Sequence, residues 1–197
     1  GQYGACSTMA QTILMSAIMV ESGAAKTCVA VTSSHFCSAE RQFRYPLEYG
    51  GQRTPTAQWT VTGSGSLVVG SSANLTLPYI NAVTVGTITD YGIKDANNMG
   101  AAMAPAAAST FQEYFTDTST NPSDYDLIIT GDLGKVGSEL LYELLEKDGI
   151  NIRNRHMDCG LAIFDLEKQD VHAGGSGCGC SGSVLCSFIL NSMNNGA

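Results

Sequence analysis

The stretch Gly4-Ala5-Cys6-Ser7-Thr8, running into Met9-Ala10-Gln11-Thr12-Ile13-Leu14-Met15-Ser16-Ala17-Ile18-Met19-Val20, constrains this chain more than any other. Small residues flank a cysteine, and a helix with almost no polar face follows. A helix that is apolar nearly all round belongs in a core. Ser7 and Thr8 suit its entry, where backbone N–H groups have no partner inside the helix. Cys6 is therefore expected at the amino end of a buried helix, where the helix dipole favours thiolate and attracts anions. Two readings of Cys6 stay open. It is a nucleophile or ligand-contacting thiol, or it is a small buried apolar residue, as most free cysteines are.

Composition narrows the class. The 197 residues, 44% hydrophobic and 14% charged, describe a globular protein with a large interior. That length suits one domain or two intimate halves. No apolar run reaches the length of a membrane span, and no secretory leader is read. The first residue is Gly and not Met, so a fragment is expected. The net charge of −8 is unevenly placed: four Lys/Arg face three acids in residues 1–89, and the bases are outnumbered fifteen to six beyond. This argues against a nucleic-acid partner, which needs a broad basic surface. Seven cysteines, an odd number, do not suggest a disulfide framework. Cys178-Gly179-Cys180 is too tight for a zinc knuckle. No metal site and no cofactor is read.

Along the chain, Thr27–Thr32 reads as a buried strand. Residues 33–55 form a long Arg/aromatic loop without regular period, the kind of segment that carries function. Its arginines Arg41, Arg44 and Arg53 suit bidentate carboxylate binding; the alternative is a cap salt-bridged through Glu40 and Glu48. Strands are expected at Gln58–Gly70, Tyr79–Thr89, Tyr125–Thr130 and Cys159–Phe164. Helices are expected at Asn97–Asp117, with Pro105 near its start, from Val136 to Gly149, and from the glycine-rich Ala173–Ser183 segment onward. Alternating strands and helices from residue 79 imply a mostly parallel, doubly covered sheet. Cys180-Ser181 echoes Cys6-Ser7, which suggests a duplicated architecture whose first copy is cut off ahead of residue 1.

A helix-entry cysteine in a duplicated α/β chain resembles the thiolase and ketoacyl synthase superfamily. Closer strings are Gly4-Ala5-Cys6-Ser7-Thr8, Ser33-Ser34-His35, Ala39-Glu40-Arg41-Gln42-Phe43-Arg44-Tyr45-Pro46, Glu48-Tyr49-Gly50-Gly51-Gln52, Met103-Ala104-Pro105-Ala106-Ala107-Ala108, Thr130-Gly131-Asp132-Leu133 and Ala173-Gly174-Gly175-Ser176-Gly177-Cys178. Together they resemble the stage V sporulation protein AD family. The resemblance implies a thiolase-like layered α/β/α/β/α fold of two duplicated halves, lacking the opening part of the first half and the final strands. Residues 1–75 would be the remainder of the first half and residues 76–197 part of the second.

The resemblance also implies a component of the SpoVA apparatus, which moves dipicolinic acid and its calcium chelate into the forespore and out in germination. The expected partners are dipicolinic acid and other SpoVA membrane proteins. The expected location is the spore inner membrane, peripherally attached, and a homodimer is possible for such folds. Calcium enters only as part of the chelate. In the superfamily pattern, one partner of the cysteine follows the central strand of the second half, where this chain has Gly131-Asp132. The other lies in the glycine-rich loop, where Ser176 stands in place of histidine. His156 and His172 read as ordinary loop histidines.

An activated cysteine needs such partners, so the expectation is a binding protein in which Cys6 is a vestigial nucleophile position. The residues assigned to ligand binding are Cys6, Ser7, His35, Arg41, Arg44, Asp132 and Ser176, with a stacking face from Phe36, Phe43 or Tyr45. Two other readings stand beside it: an acyl-transfer or condensing enzyme using Cys6 with His35 as base, and a purely structural scaffold.

Overall fold

The computed structural model describes residues 1–43, 52–71 and 76–194, with the backbone alone for residues 40–43. A tight turn at Ala5–Ser7 leads into helix α1 (Thr8–Glu21). Strand β1 (Thr27–Ser34) follows and pairs antiparallel with β3 (Gly63–Gly70), placing Val29 opposite Val68. Helix α1 packs on this hairpin. Thr8, Met9 and Ser16 are buried, whereas Ile18 and Met19 are each 43% exposed. The fully buried helix expected from its composition is thus buried on one side only, because the described residues cover just one of its faces.

The segment expected as an irregular loop contains helix α2 (Phe36–Phe43). Arg41 lies on this helix, while Arg44 and Tyr45 fall outside the described residues. The strand with a glycine-rich break expected over residues 58–70 forms as two strands, β2 (Trp59–Thr60) and β3. Between them, the Val61 N–H donates to the Ser176 carbonyl at 2.9 Å and so extends the pairing of β2 with Gly175–Ser176.

No strand forms at residues 79–89. The segment is exposed, with Val85 at 73% and Ile88 at 99%. It rests on the next helix, where the Thr87 hydroxyl donates to Glu113 at 3.5 Å. Without a neighbouring strand among the described residues, β-branched composition does not make a ladder.

Helix α3 (Met99–Thr118) is capped by the Asn98 side chain and holds Pro105 in its interior, not at its first turn. Strand β4 (Ile128–Thr130) precedes helix α4 (Gly134–Glu146) and pairs in parallel with β5 (His156–Asp158). A strand was expected at residues 159–164, but Cys159–Ala162 forms the short helix α5. The Asp158 carboxylate accepts the Leu161 N–H and turns the chain into that helix. Strand β6 (Gly175–Ser176) pairs in parallel with β2 and leads into helix α6 (Cys178–Val184). A π-helical turn (Leu185–Ile189) and helix α7 (Leu190–Asn194) continue it. The described strands therefore form three two-stranded sheets, two parallel and one antiparallel, in place of one parallel sheet.

Among the described residues, two clusters make the core. Ala104, Ala108, Phe115, Leu133, Leu141 and Leu145 join α3 to α4. Val61, Cys159, Cys180, Val184 and Ile189 lie beneath β2 and α6. Helix α6 meets the β1–β3 hairpin backbone to backbone: a Cβ on Gly65 would sit 2.4 Å from the Gly182 carbonyl oxygen. The Ser34 hydroxyl fastens the same crossing. It donates to the Val61 carbonyl at 2.7 Å and accepts the Gly179 N–H at 2.9 Å.

Candidate functional site

The residue before Cys6 is strained. Ala5 has φ +47, a left-handed conformation that costs a non-glycine residue about 1 kcal/mol. The Ser7 N–H closes the turn on the Gly4 carbonyl at 3.0 Å. This turn brings the Cys6 thiol into the neighbourhood of Asp132, and each acts on the other's titration. Asp132 follows β4 and is 5% exposed. Its Oδ2 accepts the Gly177 N–H at 2.7 Å and lies 3.4 Å from the Ser176 hydroxyl. The Gly177 N–H and the Ser176 hydroxyl also act on the Cys6 thiol, favouring its ionised form. Gly177 has φ +100, a conformation open to glycine, and that conformation aims its amide into the site.

Electrostatics corrects one expectation. The Cys6 thiol is held well above its ordinary range, first by burial and then by the charge and hydrogen bond of Asp132; the Gly177 N–H and Ser176 hydroxyl only partly oppose this. The helix dipole was expected to favour thiolate. Desolvation and an adjacent carboxylate outweigh it. Asp132 is itself raised, chiefly by burial and also by the charge of Asp158, against hydrogen bonds from Cys6, Gly177 and Ser176. Below the site, burial pushes Cys159 up to about 12 and also raises Cys180. All seven cysteines are free thiols.

Of the residues assigned from the sequence, the structure brings Cys6, Asp132 and Ser176 together. Ser7 is exposed and bonds locally, donating to the Gly4 carbonyl at 2.9 Å. His35 is exposed, and its side chain has no polar partner among the described residues. The Arg41 side chain, Arg44, Phe43 and Tyr45 lie outside the described side chains, so the expected cations and two of the stacking faces are not placed. Phe36 stacks on Trp59 with centroids 4.5 Å apart, and the Arg53 guanidinium lies 4.0 Å from the Trp59 ring centroid.

Two contributors escape sequence reasoning. Gln58 is buried and its Nε2 donates both to the Asp132 carbonyl and to the Gly175 carbonyl, each at 2.8 Å. It thereby ties together the two loops that carry Asp132 and Ser176. His156, read as an ordinary loop histidine, lies on β5, half-buried. It is 2.8 Å from the Thr130 hydroxyl through Nε2 and 2.7 Å from the Tyr142 hydroxyl through Nδ1. His172, at 3.1 Å from the exposed Asp170, is the peripheral one.

Burial lowers the His156 pKa, and the charge of Asp158 opposes this in part. In the unfolded chain His156 titrates near ~6.5. The unfolded state therefore binds more protons as pH falls below that value, and stability drops with it. Urea denaturation is expected to show the wild-type midpoint falling between pH 7.5 and pH 5.5. It should fall less in His156→Gln, which cannot titrate. Asp132 is present in both proteins, so the difference isolates His156. Parallel midpoint curves would contradict this.

The mixed helix-and-strand fold, with a cysteine at a helix entry, is thiolase-like. Its backbone resembles that of AbyA1, a tetronic acid condensing enzyme, with a TM-score of 0.53 at 14% identity over 98% of this chain and 57% of that one. The family model for stage V sporulation protein AD (SpoVAD) matches residues 1–197, and the chain belongs to that family. It is 47% identical over 194 residues to stage V sporulation protein AD of Bacillus subtilis (strain 168), covering 98% of this chain and 56% of the relative. The chain thus spans about half the length of that relative.

Proposed function

We propose that this chain serves sporulation as the ligand-binding part of a non-condensing SpoVA component, and that its ligand is dipicolinate, free or as the calcium chelate. One observation carries the reading: the Cys6 thiol faces a carboxylate and a hydroxyl where a condensing enzyme needs an activating imidazole. Thiolate is the nucleophile in such chemistry, and Asp132 disfavours thiolate. Nor does any of the three histidines supply the missing base. His35 is exposed, His156 is engaged by Thr130 and Tyr142, and His172 lies beside Asp170.

The same groups suit recognition of a planar dicarboxylate. Gly177 N–H, the Ser176 hydroxyl and the Cys6 S–H are donors grouped at one point. Asp132, raised by burial, would share a proton with a ligand carboxylate or meet the calcium of a chelate as an oxygen ligand. Family membership and the name of the B. subtilis relative support the sporulation role. Peripheral attachment at the spore inner membrane beside other SpoVA proteins belongs to the same proposal. No helix among the described residues is long and apolar enough to cross a membrane.

Titration calorimetry with dipicolinate, with and without calcium, tests the assignment on the wild type, Asp132→Asn and Ser176→Ala. Saturable binding that weakens in both variants is expected. Unchanged affinity in both removes the site from consideration. Incubation with acyl-CoA followed by peptide mass spectrometry is expected to leave Cys6 unacylated; an adduct there would restore the condensing-enzyme reading.

A further inference from the structure

Proton bookkeeping around His156 carries a second assignment. The Thr130 hydroxyl has one proton and donates it to Asp158 Oδ2 at 2.7 Å. Its 2.8 Å contact with His156 Nε2 must therefore be an N–H of the imidazole donating to Thr130. Nδ1 is then bare and accepts the Tyr142 O–H at 2.7 Å. Tyr142, His156, Thr130 and Asp158 form one directed string whose protons all point inward. The string ends on the loop of the thiol site: Asp158 also accepts the Leu133 N–H at 2.8 Å and the Gly134 N–H at 2.9 Å, the two residues after Asp132. At its outer end the Tyr142 ring meets the imidazole edge-on at 5.3 Å and lies beneath the Arg153 guanidinium at 4.2 Å, which Glu139 pairs at 2.9 Å.

We propose that His156 is a positioning residue for the Cys6–Asp132 pair, acting through Thr130 and Asp158 on the turn that carries Asp132. A neutral imidazole is the one side chain here that donates to a hydroxyl and accepts from a phenol along one line, and burial favours that neutral form. With His156 in place, the Thr130 proton is committed to Asp158 and the turn is held from outside. When it is lost, Asp132 slackens against the sulfur. The carboxylate is a cause of the raised thiol pKa, so a slackened Asp132 exposes more thiolate and speeds alkylation.

The proposal rests on the reading of this pair as the ligand seat, but its test reads the thiol without ligand. Iodoacetamide labelling of Cys6, followed at peptide level by mass spectrometry at pH 8, is compared in wild type, His156→Phe, His156→Gln and Tyr142→Phe, under conditions where circular dichroism shows each folded. His156→Phe is expected to label about threefold faster or more, the size of effect typical of coupled residues in one hydrogen-bond network. His156→Gln places an amide N–H near the position of Nε2 and is expected to restore the wild-type rate. Tyr142→Phe keeps the fold should His156→Phe not, and is expected to speed labelling more modestly. Labelling at the wild-type rate in the folded variants, even with a lowered urea midpoint, would reduce His156 to a structural residue and overturn the proposal. Absence of dipicolinate binding in the wild type would instead remove the functional reading and leave the measured coupling standing.

Discussion

Asp158→Ala is expected to lower stability by about 4 kcal/mol, because several buried donors lose their only carboxylate at once. Asp158 is 2% exposed and accepts from the Thr130 hydroxyl and from the N–H groups of Leu133, Gly134 and Leu161. It caps α5, holds the start of α4 and fixes the loop that presents Asp132. Such a loss is a large share of the roughly 5–15 kcal/mol that holds a typical domain together. Asp158→Asn retains one acceptor oxygen and should fall between alanine and wild type. Urea denaturation monitored by far-ultraviolet circular dichroism measures all three. A midpoint for Asp158→Ala equal to that of wild type would show that the loop is held by other means.

Gly65→Val is expected to cost about 3 kcal/mol or more, since a well-packed interior cannot yield to a new side chain aimed at backbone. A Cβ there would lie 2.4 Å from the Gly182 oxygen, 2.5 Å from its carbonyl carbon and 2.7 Å from its Cα. No rotamer relieves a clash that begins at Cβ. The crossing of α6 over the hairpin would open, and α6 begins one residue after Gly177. Gly70 ends the same strand, and a Cβ there meets nothing closer than the Lys26 carbonyl at 3.7 Å. Gly70→Val should therefore leave the urea midpoint close to wild type. Equal losses in the two variants would mean that valine harms the strand itself and not the crossing.

What could be read from the chain, and what could not, follows from the range of the forces involved. The turn at Cys6, the loop after β4 and the glycine-rich approach to α6 are local features, marked by small residues beside apolar runs. Cys6 could be singled out for that reason, whereas Asp132 and Ser176 came from the positions that the superfamily resemblance implies. Ser7 was assigned as part of the helix entry and His35 from the Ser33-Ser34-His35 string, and the structure turns both outward. Gln58 carries no local signal, because its acceptors belong to residues 74 and 117 positions away. His156 was misread for the same reason, as its partner Thr130 is 26 positions distant. Strand expectations failed where pairing decides: residues 79–89 have β-branched composition but no ladder, and Cys159–Phe164 yields to a cap from Asp158. The thiol's protonation was misjudged because the dipole is local, whereas the opposing carboxylate arrives from the distant loop after β4.

The stacked Phe36–Trp59–Arg53 group has a practical consequence. Trp59 is the chain's one tryptophan, and Thr60 beside it is in register with Ser176. Indole emission responds to the cation lying over its ring. If the proposed ligand shifts the Ser176 strand, the emission of that ring is expected to change on titration, giving an optical gauge that needs no dye or label; an unchanged spectrum at saturation would show that the strand stays put.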